Sequence, residues 1–300
     1  LAEGSPTPGG PRRGGGAPAL DPEMRWRPHV FVVPVRRWVL ALLLLVPADA
    51  AAQADWRAVR LPEDRPAPVR ATSRQEAALL GLGFEGLTGH LADSEREGLR
   101  AILDAEMARL HARYPGGVPS LLEASHTVRQ GPAGFDALIA EPEGEPDRAV
   151  LFLHGFGGNA LLPCAVVAEA AARAGAMTVC PSLGGAGHWR GGQGARVVRA
   201  ALDWLEQRRG IRSVVLAGLS NGGIGASHLA PRFASRLAGV VLLSGAAQGT
   251  RTDLPALVVH GDRDTMTSPL ASRAFARRSP NAELMRVDGN HFVLLHERAA

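Results

Sequence analysis

The chain has 300 residues, 46% hydrophobic and 21% charged, a composition that supplies a large apolar core and excludes a wholly disordered or fibrous protein. All 33 basic residues are arginine, yet they are scattered among 29 acids for a net charge of only +4, and no basic run is interleaved with aromatics, which excludes a nucleic-acid partner. The 2 cysteines show no metal-ligand spacing, so neither a structural metal nor a cofactor is expected.

In chain order, Leu1–Glu23 is rich in Gly, Pro and Arg and has too little apolar surface to fold, with Met24 standing as an alternative start. Arg36-Arg37, the apolar run Trp38–Val46 and the small-residue site Ala52-Gln53-Ala54 follow in the order of a secretory signal peptide, which predicts cleavage after Ala54 and an exported, periplasmic or secreted protein. The alternative is an uncleaved membrane anchor, but the run is shorter than the ~20 residues a spanning helix needs. The membrane is thus expected to be touched only transiently, and paired arginines leave both the general and the twin-arginine export routes open.

Residues 55–117 read as an amino-terminal helical extension. Asp55–Arg70, rich in Pro and Arg, is expected to be an extended lead-in, and Ser73 with Glu76 and Ser94 with Glu97 have the capping-box spacing of two helix starts. The second is the stronger, because Leu99, Ile102, Leu103, Met107 and Leu110 recur at helical spacing.

From residue 118 onward, short apolar strands alternate with helices. Strands are expected at His126–Val128, Phe135–Ala140, Ala149–Leu153, Met177–Cys180, Ser213–Leu216, Val240–Leu243, Ala256–His260 and Leu284–Val287. Helices are expected near Leu161–Arg173, Ala195–Gln207, Ile224–Leu237 and Pro269–Arg278. This alternation predicts an α/β fold with a mostly parallel, doubly wound sheet covered by helices on both faces, so that chemistry belongs in the loops at the carboxyl ends of the strands.

Those loops carry the candidate groups. Gly218-Leu219-Ser220-Asn221-Gly222 follows the Ser213–Leu216 strand, and glycines two before and two after Ser220 allow the tight strand-to-helix turn that lifts a serine out of the sheet as a nucleophile. A serine alcohol needs a general base and a group to orient it. His260-Gly261-Asp262-Arg263-Asp264 ends one later strand and Asp288-Gly289-Asn290-His291 ends the next, delivering two carboxylates and a histidine to the same edge.

In these features the sequence resembles an α/β-hydrolase from His126 to Ala300. The resemblance implies a catalytic triad of Ser220, Asp264 and His291, with Asp262 as the alternative acid and helix capping as the alternative role of Asp264. It further implies that His154-Gly155-Phe156-Gly157-Gly158-Asn159 is the oxyanion loop and that the N–H groups of Phe156 and Asn221 bind the oxyanion. His154 and His260 read as structural hydrogen-bonders at strand ends.

Cys164, in the first turn of one helix, and Cys180, at the carboxyl end of the next strand, fall at one sheet edge and are expected to form a disulfide in an oxidising compartment. His188 and Trp189, in the glycine-rich stretch Gly184–Gly192, are candidates to line the substrate pocket, a plain surface loop being the alternative. Ser244–Leu254 is too short for the helical cap many α/β-hydrolases insert, so no large cap is expected. The expected activity is hydrolysis of a small-molecule carboxylic ester; a peptidase, thioesterase or acyltransferase on the same triad, and a non-catalytic binding module, remain alternatives.

Overall fold

A computed structural model describes residues 54–67, 70–71, 93–113, 119–120, 131, 133–156, 161–184 and 188–296. The signal segment, the helix start at Ser73 and the strand expected at His126–Val128 lie outside them, as do Gly157–Asn159 and Gly185–Gly187. No described helix is long and apolar enough to cross a membrane.

The main sheet begins with β1 (Asp55–Leu61), β2 (Arg65–Pro66), β5 (Phe135–Glu141), β6 (Arg148–Leu153) and β7 (Ala176–Pro181). It continues with β8 (Ser213–Leu219), β9 (Gly239–Leu243), β10 (Ala256–Gly261) and β11 (Ala282–Val287). These nine strands lie in the order β11-β10-β9-β8-β6-β7-β5-β1-β2, while β3 (Arg70–Ala71) and β4 (Pro119–Ser120) form a separate pair. Strands β6 to β11 are parallel, and β5 and β1 add an antiparallel edge.

The central strands β6 to β10 are almost wholly apolar because both faces are covered. One set of alternate residues, including Phe152, Val215, Ala217, Val241 and Val259, packs under α1 (Asp93–Arg113) and α2 (Leu161–Arg173). The other set, including Leu151, Leu153, Leu216, Leu242 and Val258, packs under α3 (Gly192–Arg209), α4 (Asn221–Leu229) and α5 (Pro269–Arg278). From β6 the chain crosses to β7 on one side and then back to β8 on the other, so the loops after β6 and β8 diverge and leave a crevice at their carboxyl ends.

Asp55–Leu61, the first part of the expected extended lead-in, is a strand paired along its length with β5. Its charges are matched across strands: Arg57 binds Glu141 at 3.0 Å, and Arg60 binds the fully buried Asp136 at 2.9 Å. The helix expected from Ser94 starts at Asp93, with Leu99, Leu103, Met107 and Leu110 buried. Arg109 ties it to Glu169 of α2 at 2.7 Å. The helix expected over Ile224–Leu237 starts earlier, at Asn221, and passes into a 3-10 turn over Ala230–Arg236. Between β9 and β10 the chain forms no helix, so no cap is inserted there.

Candidate active site

Ser220 stands between β8 and α4 with φ 55° and ψ −119°, a backbone that a side-chain-bearing residue rarely adopts and that costs about 1–3 kcal/mol. The flanking glycines are required by contact: a Cβ on Gly218 would run into the Gly222 carbonyl, and one on Gly222 into the Leu153 carbonyl of β6. The turn is pinned by the Ser220 N–H, which donates to Leu243 O of β9 at 2.8 Å. The serine is half-buried, and Asn221 opens α4 directly behind it.

The loop after β6 runs alongside. A Cβ on Gly155 would lie 3.4 Å from Ser220 Cβ, so the start of this loop presses against the serine, and Phe156 follows with 56% of its surface exposed. His154 is buried and holds the loop: its Nδ1–H donates to Gly155 O at 2.7 Å and its Nε2 accepts from Leu183 N–H at 3.1 Å. Burial pushes its pKa down to about 4, the Gly155 hydrogen bond opposing only in part, so the ring is neutral at physiological pH.

Trp189 is fully buried, which removes it from the expected pocket lining. Its indole N–H donates to His154 O at 2.9 Å and its ring meets the His154 ring edge-on at 5.2 Å. The large aromatic fills the space over α4 that Gly225 leaves open, and so braces the loop after β6 from behind. His188 is exposed. Cys164 and Cys180 are joined in a disulfide with Cα atoms 6.3 Å apart, linking the first turn of α2 to the end of β7.

Asp264 and His291 meet at the carboxyl ends of β10 and β11, with His291 Nδ1 2.8 Å from Asp264 Oδ2 and both residues buried. Asp264 Oδ1 accepts from the N–H groups of Met266 and Thr267 at 2.8 and 2.9 Å. Oδ2 also faces Thr267 Oγ1 at 2.8 Å and His260 Nε2 at 3.1 Å. Burial alone would raise the carboxyl pKa, but the donors from His260, His291 and Thr267 override it and hold the group well below the usual carboxylate range. Asp262, the alternative acid, points elsewhere: it is exposed and bound by Arg286 and Arg273 at 2.7 and 3.1 Å.

Two residues outside the expected set belong to this edge. Ser244, after β9, has φ 47° and is fully buried; its hydroxyl donates to His291 O at 2.7 Å. Thr267 Oγ1 lies 2.7 Å from Ser244 O as well as against Asp264, so one hydroxyl bridges the two loops. The available signal was the repeat of a small polar residue beside glycine at adjacent strand ends, Ser220 near Gly222 and Ser244 before Gly245. The structure therefore brings Asp264 to His291 and Gly155 to Ser220, and no hydrogen bond joins the Ser220 hydroxyl to His291. No group of potential metal ligands occurs among the described residues.

Residues 148–254 match the model of the alpha/beta hydrolase fold family. No curated protein matches the sequence. Among solved structures, the chain is similar to an a/b serine hydrolase without lid from Xanthomonas campestris, at 20% identity over 56% of this chain and 86% of that one, with a TM-score of 0.46. It is also similar to Est1E from Butyrivibrio proteoclasticus, solved with ferulic acid bound, at 16% identity over 55% and 92% of the two chains, with a TM-score of 0.46. A third likeness is to an esterase from Pyrococcus furiosus, at 14% identity over 57% and 85%, with a TM-score of 0.46. With the crossover at β6, the parallel run to β11 and the serine turn after β8, the chain carries the alpha/beta hydrolase fold.

Proposed function

We propose that the protein is an exported serine hydrolase that cleaves small carboxylic esters through an acyl-enzyme. The observation that carries this reading is the strained Ser220 turn after β8, at the same carboxyl edge of the sheet as the loops after β10 and β11 that hold a buried Asp264–His291 pair. With Nδ1–H given to Asp264, the Nε2 lone pair of His291 is the nitrogen left to act as base. Contacts between a nucleophile and its base are often long without substrate and tighten when it binds.

In the reaction, Ser220 Oγ adds to the ester carbonyl while its proton passes to His291 Nε2. The N–H groups of Phe156 and Asn221 receive the charge that grows on the carbonyl oxygen, a contribution worth about 2.7–4 kcal/mol for one donor. Collapse expels the alcohol with the proton from His291; water, deprotonated by the same base, then releases the carboxylic acid and restores Ser220. No cofactor takes part. The exposed Phe156 ring offers apolar surface to the ester beside Ser220, and His188 remains a candidate lining residue. Export is supported by the leader pattern and by the Cys164–Cys180 disulfide, a bond that persists in oxidising compartments.

The test is hydrolysis of p-nitrophenyl acetate, butyrate and octanoate, with matching anilide and thioester substrates, by the wild type beside Ser220→Ala. Ester turnover that vanishes in the variant supports the reading. Turnover of the anilide or thioester alone reassigns the acyl group, and equal turnover by both proteins overturns the role of Ser220.

A further inference from the structure

We propose that His260 is a second orienting partner of Asp264, a positioning residue that holds the carboxylate toward His291; the inference rests on the hydrolase reading above. His260 is the penultimate residue of β10, four residues before Asp264, and only 2% of it is exposed. Its Nε2 lies 3.1 Å from Asp264 Oδ2, the same oxygen that His291 Nδ1 approaches at 2.8 Å. Its Nδ1 lies 2.7 Å from Ser272 Oγ on α5.

The proton arrangement follows from what each neighbour can give. Asp264, ionised, can only accept, so His260 Nε2 carries the proton and donates it. With Nε2–H given to Asp264, Nδ1 accepts the Ser272 hydroxyl hydrogen, so Asp264 sets the tautomer and Ser272 holds the ring from its other side. The Met266 and Thr267 N–H groups fix Oδ1, so without His260 it is the Oδ2 end facing His291 that loses a donor and is held less firmly.

The remaining charged groups of the neighbouring elements do not compete for this site. Asp262 pairs with Arg273 and Arg286, and Arg263 pairs with Asp288, all on the surface. His260 therefore faces one charge, Asp264, and it shares that charge with His291.

The experiment compares wild type with His260→Phe, His260→Gln and Ser272→Ala, reading kcat, KM, the pH profile of kcat/KM on p-nitrophenyl butyrate, and the far-downfield imidazole N–H proton resonances. Loss of one hydrogen bond to a charged group predicts a fall in kcat of roughly tenfold to a hundredfold in His260→Phe, with KM unchanged. Its acid limb moves to lower pH, because a carboxylate held less firmly against His291 stabilises the imidazolium less. His260→Gln, which keeps an N–H donor, recovers most of kcat, and Ser272→Ala falls between the two. In the resonances, His260→Phe removes one downfield proton and displaces that of His291, an outcome readable even if no ester is turned over. Wild-type kcat, acid limb and His291 resonance in His260→Phe would overturn the inference, whereas an inert wild type with the resonance change present would strike only the hydrolase reading.

Discussion

Strands β8 and β9 lie side by side, and each is followed by a serine in a left-handed backbone: Ser220 with φ 55° and Ser244 with φ 47°. A positive φ at a residue with a side chain, as in both serines, costs about 1–3 kcal/mol. Their surroundings then separate them. Ser220 is half-buried beside Gly155 and the loop after β6, whereas Ser244 is fully buried and its hydroxyl is spent on His291 O. An acceptor already waits for the Ser244 hydroxyl and makes it a fastener, and the proposed function gives the Ser220 hydroxyl the reactive role.

Removing each hydroxyl breaks the comparison most sharply. Ser220→Ala is expected to lower kcat for ester hydrolysis by about 10⁶-fold, as loss of a nucleophile in a triad does, with the melting temperature held or raised. A circular-dichroism melt beside the kinetic assay separates the two effects. The carboxylates of the neighbouring loop come next. Asp264→Asn keeps the shape but not the charge and is expected to cost about 10⁴-fold in kcat. Asp262→Asn, which loses only surface ion pairs, is expected to leave kcat within a few-fold of wild type.

The pH dependence of stability separates the two sides of the crevice. His154 braces the Ser220 side, and its pKa is lowered from 6.5 to about 4 by burial, so the unfolded chain takes up a proton first as pH falls. Stability is therefore full above pH 6.5 and falls toward pH 4, by roughly 3 kcal/mol at most from this group. Asp264 braces the Ser244 side; its carboxyl is held below the ordinary value of 3.8, so its contribution persists until the pH drops under that value. Urea midpoints measured across this range should decline first through the His154 window, and a His154→Gln variant should flatten that part of the curve.

A smaller effect than at Ser220 or Asp264 is expected at Ser244→Ala. It leaves His291 O buried without its donor and should cost about 1–3 kcal/mol in unfolding free energy, with a modest fall in kcat and an unchanged KM. A variant as stable and active as wild type would show that the fastener has no function.

What could be read beforehand follows the range of the interactions. The Ser220 turn was legible because its demand for glycine is local, arising between Gly218 and Gly222 within one turn of chain. The parallel core was legible because strands buried on both faces are continuous apolar runs. Strand β1 was not, since Arg57 and Arg60 look like solvent-facing charges until Glu141 and Asp136 are brought against them from far along the chain. Trp189 was misjudged for the same reason: a tryptophan between glycines suggests an exposed loop, and only the fold reveals the His154 carbonyl and the gap over Gly225 that bury it. The resemblance to the α/β-hydrolases pointed to Asp264, but setting Asp262 aside needed Arg273 and Arg286, which arrive from α5 and β11.

The most direct test of the account is covalent capture of the nucleophile. The full protein is treated with a fluorophosphonate, digested and mapped by mass spectrometry. The account predicts a single adduct on Ser220, with Ser244 unmodified, and no adduct in Ser220→Ala. An adduct on another residue, or an unlabelled Ser220 in folded protein, would contradict it.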